Sequence, residues 1–128
     1  MKHLLILISI LLLSSPVIGD NHTLPVRGEK DETLYGWGKY PEIVWKEFGD
    51  KETHSKYEGD VENGKPNGVG ILIYPMGGKY VGSWKNGVRN GKGTTTYSSG
   101  TKYEGGWKDG GMWNGTLYNK DGNNLGKV

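Results

Sequence analysis

Cysteine is absent from this chain. No disulfide can staple it, no thiolate can serve as nucleophile or soft metal ligand, and no thiol-linked lipid can anchor it. Histidine is scarce: His3 lies in an N-terminal apolar run, and His22 and His54 are flanked by polar residues. A Ser-His-Asp arrangement has only the neighbouring pair His54-Ser55 to draw on, and adjacency in sequence is not triad geometry. Charge of one sign is also lacking. Sixteen basic against 14 acidic residues leave a net charge of +2, with no basic stripe of the kind that nucleic acid demands. Aliphatic bulk is thin, since hydrophobic residues make up 34% of the chain and Phe occurs once. A thick two-layer core of Leu, Ile and Val is therefore excluded. Abundant instead are 23 Gly, eight Tyr and five Trp, which fit a thin sheet built from aromatic plates and many turns.

One long apolar run exists, and it stands at the N-terminus. Lys2 gives a positive start, Leu4 to Leu13 is broken only by Ser9, and Ser14, Ser15 and Pro16 end it. Val17-Ile18-Gly19 places small residues before a cut at Asp20. This is the anatomy of a secretory signal peptide over residues 1–19. The run is shorter than the roughly 20 residues that a membrane-spanning helix needs. The expected localisation is extracytoplasmic, either periplasmic or secreted. Residues 20–56 form a leader, polar and aperiodic to about Lys39, with a possible capping segment at 40–49. Within that segment Pro41 and Gly49 could bracket a short helix. The β-branched and aromatic Ile43, Val44 and Trp45 favour a strand, one that pairs with the first repeat and covers its open edge.

From residue 57 onward the chain repeats. Tyr57, Tyr80 and Tyr103 recur at a step of 23 residues. Gly59, Gly82 and Gly105 keep the step, as do Gly64, Gly87 and Gly110. Trp84 and Trp107 share one position that Val61 holds in the first copy. A fixed period in the range of roughly 20–50 residues marks a repeat array and overrides an element-by-element reading. Inside each copy the period is two. In Tyr80-Val81-Gly82-Ser83-Trp84 the Tyr, Gly and Trp share one face, Asn86-Gly87 makes a hairpin turn, and Gly93 to Tyr97 is the returning strand. Each copy is thus one β-hairpin, and glycine between aromatics leaves a slot in which a neighbouring ring can lie.

These residues resemble the MORN repeat (membrane occupation and recognition nexus), whose unit opens Tyr-x-Gly-x-Trp and continues through an Asn-Gly or Asp-Gly turn to a Gly-x-Gly strand. The second copy matches throughout, at Tyr80, Gly82, Trp84, Asn86-Gly87, Gly91 and Gly93. The third opens as Tyr103-Glu104-Gly105-Gly106-Trp107-Lys108-Asp109-Gly110 and then loses register. Gly115 aligns with Gly93 by deleting one residue, or with Gly91 by inserting one and later deleting two. Trp113 is extra, and Leu125-Gly126 replaces the next Tyr-x-Gly, which reads as a closing cap. The expected fold is all-β: an elongated single-layer antiparallel β-meander of about three MORN hairpins, at 57–79, 80–102 and 103–124, with a closing strand at 125–128. The resemblance implies an interaction or scaffolding role, with protein partners and sometimes membranes.

Candidate chemistry reduces to surfaces. Glu58 and Glu104 occupy equivalent positions, but the middle copy has Val81 there, which reads as strand-exposed charge. Gly87 to Gly93 lacks the Ser or Thr after Gly-Lys that a phosphate loop needs. Asn119 to Asn123 has no first ligand at Leu117 and no closing acid, so it reads as a turn and not a calcium loop. Neither catalytic residue, cofactor nor metal is expected. Asn21-His22-Thr23 and Asn114-Gly115-Thr116 match the glycosylation pattern. The expected interaction face is Tyr57, Tyr80, Trp84, Tyr103 and Trp107, with a protein partner docking on it. A second expectation places Lys65, Lys85, Arg89, Lys92 and Lys108 at the turn edge against anionic lipid. A third is binding of cell-wall glycan or choline, since wall-binding repeats also space Trp, Tyr and Gly. The 23-residue step and the Tyr-x-Gly-x-Trp opening argue against it.

Overall fold

The computed structural model describes residues 31–128. The expected signal peptide with its expected cleavage point, His22 and the Asn21 glycosylation pattern lie outside the described residues. Nine strands form one antiparallel sheet: β1 (Glu32–Trp37), β2 (Val44–Lys46), β3 (Ser55–Glu62), β4 (Lys65–Ile73), β5 (Gly78–Lys85), β6 (Val88–Tyr97), β7 (Lys102–Lys108), β8 (Gly111–Tyr118) and β9 (Asn124–Lys127). Their spatial order is β2-β1-β3-β4-β5-β6-β7-β8-β9. From β3 onward this is the expected meander: each copy contributes one hairpin, and β9 closes it beside β8. The hairpin turns place Asn63, Asn86 and Asp109 at φ 53°, 50° and 50°, the left-handed geometry that short Asx residues tolerate.

Two rows of residues explain why this sequence makes this sheet. Cross-strand pairing runs Leu34–Tyr57–Leu72–Tyr80–Thr95–Tyr103–Leu117. Beside it lies a row of six glycines, Gly59–Gly70–Gly82–Gly93–Gly105–Gly115. The Tyr57, Tyr80 and Tyr103 rings lie down over Gly70, Gly93 and Gly115, where a Cβ would collide with the ring. Each hydroxyl donates to a backbone carbonyl three residues on: Asp60 at 2.6 Å, Ser83 at 2.7 Å and Gly106 at 2.7 Å. A buried phenol is thereby satisfied without leaving its plate position.

Immediately beyond the glycine row each hairpin is bulged. In the first, Asp60 stands opposite the stretch 67–69; in the second, Ser83 stands opposite 90–92. In the third, Gly105 pairs with Gly115 and Gly106 with Trp113, so Asn114 alone is extra, at φ 58°. Gly115 is therefore the counterpart of Gly93, and one bulge residue is deleted. Bulges bend a strand, and the tips beyond two of these bulges meet Trp45 and Tyr40.

The segment before the repeats differs from the expectation. Glu32–Trp37 falls within the expected polar leader, yet it is strand β1 and pairs with β3. It takes the place of a preceding hairpin's second strand, with Leu34 at the position of Leu72 and Thr95. Val44–Lys46 is a strand as expected, but it pairs with β1 and not with the first repeat.

A strapped aromatic groove as the candidate functional site

Five rings interlock along one face of the sheet. Trp84 sits edge-to-face between Tyr57 and Tyr80, and Trp107 between Tyr80 and Tyr103, every centroid pair 5.2 Å apart. Each such contact adds about 0.5–1.5 kcal/mol beyond area burial. The indole N–H groups donate across the sheet, Trp84 Nε1 to Gly70 O at 3.4 Å and Trp107 Nε1 to Gly93 O at 3.3 Å. These five rings are those of the expected interaction face, and they are buried. Tyr57, Tyr80 and Tyr103 are 0% exposed, Trp84 5% and Trp107 4%. These rings are the core of the sheet, which has no second sheet over it among the described residues, and they present almost no surface of their own.

What covers their N-terminal half comes from outside the repeats. The connection from β1 to β2, together with Trp45 of β2, crosses the face and is tied to two hairpin tips. Trp45 Nε1 donates to Gly87 O at 3.1 Å, and the Tyr40 hydroxyl donates to Asp109 O at 2.6 Å. Trp45 also caps the ring ladder, with centroids 5.9 Å from Trp84 and 6.1 Å from Tyr57. Between this strap and the sheet lies a groove of about 450 Å³. Tyr40, Ile43, Leu72, Tyr74 and Val88 give it apolar walls, and Lys39, Lys65 and Arg89 are its charged residues.

The sequence places Arg89 at the turn edge facing lipid. The structure turns it inward instead. Its guanidinium lies 4.4 Å from the Trp107 ring centroid, donates to the Tyr74 hydroxyl at 3.0 Å and donates to Gly110 O at 2.9 Å. Burial pushes the Tyr74 and Tyr80 phenols above their ordinary range, an effect that the nearby Arg89 charge opposes. Lys65 also lines the groove. Lys85, Lys92 and Lys108 are exposed near the tips, but Glu62 and Asp109 are exposed there too. The edge is thus of mixed sign, which weakens its attraction for an anionic surface.

The remaining sequence candidates resolve into structural roles. The His54 ring stacks on Trp37 with centroids 3.8 Å apart, and its Nδ1 accepts the Asp50 N–H at 3.1 Å. Those contacts, together with Thr53 Oγ1 at 3.1 Å, hold it, and Ser55 is not among its partners. Glu58 pairs with Lys56 at 2.9 Å and Glu104 with Lys102 at 2.6 Å. Both pairs lie on the sheet's other face, so the two carboxylates serve separate surface ion pairs. Asn119 Oδ1 accepts from the Asp121 and Asn123 N–H groups at 3.0 and 2.9 Å, which makes that stretch a capped turn. Among the described residues, no group of three His, Cys, Asp or Glu side chains comes together to hold a metal ion.

Sequence reasoning missed the strap, including Tyr40 and Trp45 as its tethers. The apolar cluster of Ile43, Val44 and Trp45 beside Tyr40 is the available signal, and in the sequence it reads as covering an edge rather than a face. Comparison with known proteins gives one family. The model described as MORN repeat matches residues 57–79 and 80–102, the first two copies. No curated protein matches the chain.

Proposed function

Because this chain belongs to the MORN-repeat proteins, whose repeats are protein or lipid interaction modules, we propose that it is an exported, non-enzymatic protein-interaction module whose partner docks in the strapped groove. The observation that carries this reading is the groove itself. It is a concave site of about 450 Å³ with apolar walls and a cationic rim, within the size range of preformed binding sites, on a face whose rings are otherwise spent on the core. Half-exposed Tyr74 and exposed Tyr40 offer a partner aromatic contact that the five ladder rings cannot. Export rests on the apolar run of residues 4–13.

The test is affinity capture from the extracytoplasmic fraction with wild type, Ser55→Trp and Lys108→Gln. Ser55 is half-buried and lines the groove, so an indole there fills it without entering the core. Loss of a captured protein with Ser55→Trp but not with Lys108→Gln supports groove docking. The same proteins recovered with both variants refute it. Retention of anionic vesicles that disappears with Lys108→Gln assigns the lipid role to the edge instead.

A further inference from the structure

The groove carries charge of one sign. Lys39, Lys65 and Arg89 line it, and no Asp or Glu among the described residues does. Arg89 is half-buried among apolar and aromatic groups, where a cation normally acquires a carboxylate. Its contacts are neutral: the Tyr74 hydroxyl, the Gly110 carbonyl and the faces of Trp107 and Tyr80. Two of the five guanidinium N–H donors are committed to these oxygens, which leaves three for a ligand. The fork is also held in place beforehand. Its position over Trp107 and its two hydrogen bonds hold the group, so less rotamer freedom remains to be lost on binding. The ion pairs Lys56–Glu58 and Lys102–Glu104 sit on the opposite face of the sheet and do not neutralise it.

We propose that the groove recognises an acidic peptide segment of a protein partner, in which an apolar side chain fills the cavity and an adjacent carboxylate pairs with Arg89. This rests on the groove being the docking site, and it adds the chemistry of what docks. The volume suits one or two side chains, the walls select an apolar one, and the planar guanidinium selects a carboxylate through two parallel hydrogen bonds. A partner segment lacking the acid leaves Arg89 without a counter-ion in a desolvated site, so discrimination comes from charge as well as fit.

The probes are N-acetyl-Phe-Asp-amide and its isostere N-acetyl-Phe-Asn-amide, titrated into the full chain and followed by tryptophan fluorescence and amide NMR shifts. The expected result is a preference of at least about tenfold for the Asp probe, typical of a charge-assisted bond. Arg89→Gln removes that preference, so that the two probes bind alike. Ser55→Glu, which keeps Arg89 and supplies a competing carboxylate, also removes it and guards against a folding defect in the first variant. Equal affinities for the two probes, no binding of the Asp probe, or a preference that survives Arg89→Gln in a folded variant overturns the proposal. In partner capture, loss with Ser55→Trp but not with Arg89→Gln overturns the carboxylate anchor and leaves groove docking standing. Capture indifferent to Ser55→Trp removes the docking site itself.

Discussion

Gly93 and Gly64 differ in what a methyl group would meet. At Gly93 an added Cβ runs into the Tyr80 ring and hydroxyl, so Gly93→Ala must lift a plate out of the core. The expected destabilisation is about 3 kcal/mol, the upper part of the overpacking range, read from the urea midpoint. At Gly64 the surroundings are empty and only the backbone objects, at φ 74°, so Gly64→Ala costs about 1 kcal/mol. A reversed order of the two would contradict the plate-over-glycine account. The tyrosines themselves predict an alkaline limit. Burial holds the Tyr80 and Tyr74 phenols above the ordinary range, while in the unfolded chain they titrate near about 10. Below that pH both states keep the proton and the contribution is complete. As pH rises past it, the unfolded chain binds fewer protons than the folded one, and stability falls until the folded phenols also ionise. Denaturation midpoints are therefore expected to drop steadily above pH about 10, together with delayed phenolate absorbance. Flat midpoints through that range would mean that these rings are not protected.

At the scale of elements, the strap is the part that the repeat pattern could not supply. The period was legible because Tyr over Gly is a local geometric need that every hairpin must meet. β1 escaped notice because it completes the sheet without meeting that need. Its residue in the glycine row is Glu32, paired with Gly59, and no tyrosine of its own lies over it. The partners of Tyr40 and Trp45 are 69 and 42 residues away, a separation that no local pattern encodes. Arg89 was legible as a cation near a turn, but its inward direction depends on Tyr74 and on Gly110 of the next hairpin tip. The strap's tethers make a prediction. Trp45 is half-buried and holds both a ring contact and a hydrogen bond. Trp45→Ala is expected to cost about 2–3 kcal/mol and to open the segment to trypsin at Lys39 and Lys46, while the hairpins from β3 onward stay protected. Tyr40→Phe removes one hydroxyl bond and is expected to cost about 1 kcal/mol. Equal resistance of Trp45→Ala and wild type to cleavage would show that Trp45 does not hold the strap.

At the scale of the molecule, the nine strands of the described residues, about 4.8 Å apart, make a single layer roughly 38 Å across, with one ladder of rings where a second layer would lie. Stability in such an array is shared between neighbours, and each Trp belongs to two hairpins at once, as Trp84 does with Tyr57 and Tyr80. The five rings that draw attention in the sequence are buried in the construction of the sheet, and the proposed docking site is what the strap and the hairpin tips leave open between them. The direct measurement is amide hydrogen exchange of the protein alone and with its captured partner. Docking in the groove predicts slowed exchange in residues 38–45 and 86–89, with the outward-facing positions of β7 and β8 unchanged. Slowing confined to β7 and β8, with 38–45 and 86–89 unchanged, would contradict the account.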